Sequence, residues 1–278
     1  MSGVAAAFAP AKVNLTLHVI GQRADGYHLL DSLVVFADVG DHILVAPGSG
    51  LHLKVTGPMA TGVPVDDSNL VIRAARTAGV TDAQITLDKH LPAAAGIGGG
   101  SSDAAATLRA LMQSQEADGA VMPENVLALG ADVPVCLAAT ATRMSGIGEV
   151  LEPIPGLPPF AAVLVNPGVG VSTPEVFRAL RHKDGAPMGE IPAFSGFDSC
   201  VAWLAEQRND LQAAAVAQQP VIGRVLDRLQ ERGAVLARMS GSGATCFGLF
   251  ADTESAKQVA ADLARVEPEW WIRPTVLG

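Results

Sequence analysis

Between Pro92 and Asp103 the chain reads Pro-Ala-Ala-Ala-Gly-Ile-Gly-Gly-Gly-Ser-Ser-Asp, and Ala104, Ala105, Leu108, Leu111 and Met112 follow at helical spacing. Glycine has no Cβ, so consecutive backbone amides can turn inward onto an oxyanion while the following helix points its positive end at the same spot. The pattern predicts a phosphate-binding loop opening a helix. The plainer alternative is a flexible turn before a helix capped by Ser102 or Asp103. Gly100 is followed by Ser101, and no Gly-Lys pair occurs anywhere in the chain, so this is not a Walker A loop. Several strand-like runs precede Gly96-Ile-Gly98, which fits a first-strand dinucleotide fingerprint poorly.

The 278 residues suggest two packed domains. The Pro/Gly-rich stretch 153–159 is the best boundary, giving an N-terminal domain over 1–155 and a C-terminal domain over 156–278. The hydrophobic fraction of 49% is spread along the whole chain and disfavours disorder. Lys12, Arg23, Arg73, Lys89 and Arg109 interrupt any run that might cross a membrane. A net charge of −9 argues against a nucleic-acid surface. The opening segment lacks a basic n-region and reads as mature protein. Cys136, Cys200 and Cys246 have no paired spacing and read as buried thiols of a cytoplasmic protein, whose oligomeric state the sequence leaves open.

Short β-branched runs predict strands at 4–8, 12–20, 32–39, 42–46, 51–56, 84–87, 160–165, 235–239, 244–251 and 271–276. Helices are expected at 69–78, capped by Ser68 and stopped by Gly79, and at 199–206, 220–231 and 254–266. The alternation predicts an α+β sandwich with helices on one face of a sheet.

Lys12 interrupts an apolar strand, which suggests either a functional ammonium or an edge lysine that discourages aggregation. Asp132, in Gly-Ala-Asp-Val-Pro, reads as a catalytic carboxylate or as the cap of a short helix. Tyr27, the only tyrosine, stands beside His28 just after the Asp25-Gly26 turn, where packing needs no aromatic. The run Ser240-Gly-Ser-Gly-Ala-Thr245 is either a turn between strands or a second wall of backbone amides.

At these segments the chain resembles the GHMP kinase superfamily. Pro10-Ala-Lys-Val-Asn-Leu15 resembles its first motif, the glycine loop its second, and Met239-Ser-Gly-Ser-Gly-Ala-Thr-Cys246 its third. Gly21-Gln-Arg-Ala-Asp-Gly26-Tyr27-His28, Ala128-Leu-Gly-Ala-Asp132-Val-Pro134 and Asn209-Asp210-Leu211 are similar to the branch that phosphorylates diphosphocytidyl methylerythritol. The resemblance implies the two-domain GHMP kinase fold, with a ribosomal protein S5 domain 2-like N-terminal domain and a ferredoxin-like C-terminal domain. It implies ATP and Mg²⁺ as cofactors and a cytidine-diphosphate-linked methylerythritol, phosphorylated on its 2-hydroxyl in non-mevalonate isoprenoid synthesis. Asp132 would be the base and Lys12 its partner. Pro92, Ala93, Ala94, Ala95, Gly96, Ile97, Gly98, Gly99, Gly100, Ser101 and Ser102 would contact ATP, and Gly241, Ser242 and Gly243 would lie near the phosphates. Tyr27 would stack on cytosine, His28 would contact its polar edge, and Phe177 would cover the other face, unless it is simply core beside Val176 and Leu180. Asn14 and Thr173 would contact hydroxyl or phosphate groups. The metal ligands stay unassigned: Asp103 stands where many relatives carry Asn, and its charge repels phosphate unless Mg²⁺ lies between. Ile97 for Leu is a harmless swap, and 181–197 resembles nothing specific. A GHMP kinase for homoserine or a sugar, and a nucleotide sensor without turnover, are the alternatives.

Overall fold

The computed structural model describes residues 3–114 and 123–278. Met1 and Ser2, the start of the segment read as mature, lie outside them. The chain opens with β1 (Ala5–Asn14), β2 (His18–Gln22), the long β3 (His28–Ala46) and β4 (Leu51–Thr56), then α1 (Leu70–Thr77) and β5 (Ala83–Asp88). The glycine loop leads into α2 (Gly99–Ser114), α3 (Pro123–Leu129), α4 (Val133–Ala138), β6 (Thr142–Gly146) and β7 (Val150–Pro153). The remainder is β8 (Phe160–Asn166), α5 (Thr173–Arg178), α6 (Phe197–Ala205), α7 (Gln212–Gln218), α8 (Val221–Glu231), β9 (Leu236–Met239), β10 (Cys246–Phe250), α9 (Thr253–Val266) and β11 (Trp271–Leu277). None of the described helices is long and apolar enough to cross a membrane.

Three local expectations need correcting. The run 12–20 is not one strand: β1 ends at Asn14 and β2 begins at His18. The runs 32–39 and 42–46 fuse into β3. Gly40 is no turn there, since a Cβ on it would lie 2.2 Å from the Ala9 carbonyl oxygen, so the glycine lets β1 and β3 approach. Finally, α1 is capped by Asn69, whose side chain accepts from the Val71 N–H at 2.9 Å, while the Ser68 hydroxyl donates to Asp66. Gly79 does end the helix, at φ +78°.

The chain divides into two compact units that are not sequential halves: residues 1–12, 39–93 and 98–139 form one, and 13–38, 94–97 and 140–278 the other. In the first, β4 pairs parallel with β5, and β5 pairs antiparallel with the second half of β3. Helices α1 to α4 pack on one another. The helix α2 is alanine-rich and buried along most of its length, which lets its neighbours come close.

In the second unit β8 lies between β11 and β10, and β9 pairs beyond β10, all antiparallel. Their apolar faces are covered by α8, which buries Ile222, Val225, Leu226 and Leu229, and α9, which buries Ala256, Val259, Ala260 and Leu263. Both sets follow the i, i+3, i+4, i+7 spacing of a core-facing helix. Cys136, Cys200 and Cys246 are buried and unpaired.

Arg238 of β9 ties irregular segments to this core. It is 6% exposed and donates to the carbonyls of Leu15, Leu204 and Gln207 at 2.8, 2.9 and 2.7 Å. Burial lowers its pKa to about 10. Arg238→Leu strands those carbonyls, so urea unfolding should show a loss on the order of 2–4 kcal/mol. A change under about 0.5 kcal/mol, the level of an ordinary surface substitution, would contradict this role.

Candidate active site

The glycine loop has a polarity written into its backbone. Ala94, Gly96 and Gly98 have φ of +49°, +74° and +62°, so left-handed residues alternate along it. The carbonyl of Ala95 accepts from Thr245 N–H at 3.1 Å, that of Gly96 from the Ser240 hydroxyl at 2.9 Å, and that of Gly98 from Ser102 N–H at 2.8 Å. Among the described residues, no backbone N–H from Ala93 to Ser101 donates within the protein. Carbonyls are engaged and amides are open, with the first turn of α2 adding its unpaired N–H groups and positive end. Ser102 is no cap. It lies inside the helix, fully buried, with its hydroxyl donating to the Pro10 carbonyl at 2.7 Å.

In the same unit, Lys12 is 4% exposed and its Nζ donates to Asp132 Oδ2 at 2.8 Å. Burial rules out an edge lysine. Asp132 occupies the N-cap position of α4, yet its side chain makes no capping bond. The carboxylate is 34% exposed and turned to the ammonium instead. A Cβ on Gly98 would lie 3.1 Å from Lys12 Cβ, so the end of the loop runs against the lysine stem. The first unit thus gathers open amides, an ammonium and a partly exposed carboxylate. Together they can hold an anion, offset developing charge and accept a proton.

The second unit carries the third glycine segment as the β9–β10 loop. Ser240 Oγ accepts from the Asn14 N–H at 3.0 Å and donates to the Gly96 carbonyl. A Cβ on Gly96 would fall 2.5 Å from the Ser240 carbonyl oxygen and 2.7 Å from that of Gly243. Only glycine fits. Asn14 Nδ2 donates to Ser32, leaving its buried Oδ1 without a partner among the described residues. Thr173 Oγ1 and Ser242 Oγ are 2.7 Å apart. Asn209, not foreseen as a site residue, donates to the carbonyls of Met239 and Gly241 at 2.7 and 2.8 Å and so fixes this loop.

Also in the second unit, Tyr27 is 60% exposed and stacks on no described ring. His28 and Phe177 stack on each other, with centroids 4.7 Å apart and rings 24° from parallel. Phe177 also leans on the core cluster around Val176, so the core alternative holds in part. Burial, helped by the Lys183 charge, lowers the His28 pKa, which favours a neutral ring. Its buried Nε2 has no partner among the described residues and can donate or accept according to tautomer.

Asp103 is 3% exposed and accepts from Lys89 Nζ at 2.7 Å. Lys89 also donates to Asp41. One ammonium cannot balance two buried carboxylates. Burial pushes the Asp103 pKa up, Lys89 opposes, Asp41 reinforces, and the result is about 8. Burial pulls Lys89 down, but its two carboxylates together raise it.

An amide-lined loop at a helix start, with a Lys–Asp pair beside it on an α+β frame, defines a kinase of the GHMP type. Sequence profiles agree: the GHMP kinases N terminal domain matches residues 69–141 and the GHMP kinases C terminal matches 176–268. A 4-diphosphocytidyl-2-C-methyl-D-erythritol kinase of Dinoroseobacter shibae is 57% identical over 274 residues, covering 98% of this chain and 94% of the relative. One from Cereibacter sphaeroides is 56% identical over 273 residues, covering 96% and 97%. A crystal structure of 4-(cytidine 5'-diphospho)-2C-methyl-D-erythritol kinase superposes with a TM-score of 0.80 at 36% identity, covering 98% of this chain and 99% of that one. Homoserine kinase from Cytophaga hutchinsonii shares the fold, with a TM-score of 0.71 at 17% identity over 100% and 95% of the two chains. The chain belongs to the 4-diphosphocytidyl-2-C-methyl-D-erythritol kinase family of the GHMP kinases.

The raised pKa of Asp103 has a stability consequence. The folded state holds this proton more tightly than the unfolded chain, so the contribution is intact below the ordinary aspartate value of 3.8 and lost as pH climbs to about 8. Asp103→Asn removes the titration. Its Tm should exceed that of the parent by a margin that grows from pH 5 to pH 8 and then levels; a margin independent of pH would refute the assignment.

Proposed function

We propose that this chain transfers the γ-phosphoryl group of ATP to the 2-hydroxyl of 4-diphosphocytidyl-2-C-methyl-D-erythritol. The observation that carries the reading is the Lys12–Asp132 pair at 2.8 Å beside the open amides of Gly98 to Ser101. Relatives of that name, matched over nearly the whole chain, supply the substrate.

Asp132 takes the hydroxyl proton as the hydroxyl oxygen bonds to the γ-phosphorus. The bond from that phosphorus to the β–γ bridging oxygen breaks, and ADP leaves with the electron pair. Lys12 orients the hydroxyl and holds the Asp132 carboxylate in place through their 2.8 Å contact. The amides of Ala93 to Ser101 receive phosphate oxygens, and Gly241, Ser242 and Gly243 lie near them. Most of the work is positioning and charge neutralisation, as phosphoryl transfer demands. Bound Mg²⁺ would supply further neutralisation of the phosphates.

For the cytidine, the exposed Tyr27 ring offers a stacking platform, and the unpartnered Nε2 of His28 offers a directional bond to the base edge. Phe177 contributes by holding the imidazole plane, and Asn14 and Thr173 provide polar contacts to the rest of the substrate.

Mass spectrometry of the substrate after incubation with Mg-ATP tests the reaction: one added phosphoryl group is expected. Asp132→Asn should lower kcat by about 10²- to 10⁴-fold. A folded, ATP-binding parent that yields no product would overturn the substrate, and full activity in the variant would overturn the base. Tyr27→Ala should raise KM for the cytidine substrate about tenfold or more, with KM for ATP unchanged. An unchanged substrate KM would remove Tyr27 from the site and favour another alcohol.

A further inference from the structure

The two ends of the glycine loop are joined by one buried chain of charged groups. Asp41 Oδ1 accepts the N–H groups of His90 and Leu91, at 2.5 and 2.8 Å, immediately ahead of Pro92. Its Oδ2 accepts from Lys89 Nζ, and the same ammonium reaches Asp103 in the opening turns of α2. A Cβ on Gly99 would lie 3.3 Å from Lys89 Nζ, so the ammonium sits directly under the first residue of that helix. Exposures of 3%, 0% and 3% for Lys89, Asp41 and Asp103 exclude a surface ion pair.

Such a group is no simple route to stability, because apolar replacement of a buried ion pair or triad is often neutral or better. Its placement has a more specific consequence. Residues 92–98 include two glycines and one alanine in left-handed backbone, and the glycines have the most conformational freedom to lose. Fixing both ends narrows the conformations open to the loop without using any of its N–H groups.

We infer that Lys89 is a positioning residue for phosphoryl transfer: through Asp41 and Asp103 it sets the spacing of the two ends of the loop and so holds the intervening amides open for the ATP phosphates. The inference rests on the reading that this loop receives those phosphates. Lys89 touches no reacting atom and acts through the backbone of Leu91 and the start of α2. Asp103 needs only to accept from the ammonium, a task an amide oxygen performs equally well.

The test is titration of a non-hydrolysable ATP analogue, with KM for both substrates, on the parent, Asp103→Asn, Asp103→Leu and Lys89→Met/Asp103→Asn. The double variant removes one carboxylate with the ammonium, which limits the charge left buried. Asp103→Asn should keep analogue affinity within about threefold of the parent, since Asn still accepts. Asp103→Leu and the double variant should weaken it roughly 10- to 100-fold through misplaced amides, leaving KM for the cytidine substrate within about twofold. Unchanged analogue affinity in either folded variant would overturn the inference, as would equal loss toward both substrates. Unfolding of both, with Asp103→Asn no better than Asp103→Leu, would also overturn it by reducing the triad to a stability element. A folded parent that binds no analogue would sink the phosphate-loop reading itself, a distinguishable failure.

Discussion

A folded backbone pairs each of its N–H and C=O groups with protein, solvent or ligand, and the partly exposed glycine loop does so in a lopsided way. Its carbonyls at Ala95, Gly96 and Gly98 are engaged by protein donors, while the N–H groups from Ala93 to Ser101 have no described protein acceptor. Groups left open in this way invite an acceptor from outside the chain. The alternating left-handed residues and the start of α2 favour an acceptor that carries negative charge. In the second unit Thr245 and Ser240 engage the carbonyls of Ala95 and Gly96, and in the first the Ser102 N–H engages that of Gly98.

Charge placement follows the same economy. Lys12 and Asp132 pair with the lysine buried and the carboxylate a third exposed, so the acid oxygen can meet a substrate while its counter-ion is shielded from salt. Lys89, Asp41 and Asp103 are all closed off, and there the excess carboxylate keeps its proton near neutral pH. Two lysines in one unit thus sit in different surroundings, one paired with a partly exposed carboxylate and one enclosed with two buried carboxylates.

Much of this was legible in the chain. The glycine loop, its helix, Lys12 and the Tyr27-His28 pair stand out because each breaks a local rule: glycines in a row, a cation in an apolar strand, a lone tyrosine at a turn; Asp132 stands out only through the family resemblance. The strands expected at 32–39 and 42–46 are one, because Gly40, a glycine required by close strand approach, looks the same in sequence as one that ends a strand. The ion pairing of Asp103 with Lys89, and of Lys89 with Asp41, was not legible because these residues lie far apart in the chain or before the loop, and no spacing rule links them. Lys89 and Asn209 carried only faint signals, a scarce lysine just ahead of the loop and an Asn-Asp pair in a polar turn. The stacking of His28 on Phe177 depends on contacts across well over a hundred residues, which periodicity cannot reveal.

The central claim is that open backbone amides receive the phosphates. Amide hydrogen exchange and ¹⁵N shifts across residues 93–101, measured with and without ADP, test it most directly. The account predicts slowed exchange and displaced resonances at these amides in the complex, with Lys54 and other distant amides unaffected. Nucleotide binding that leaves the loop amides unshifted and exchanging as before would contradict it.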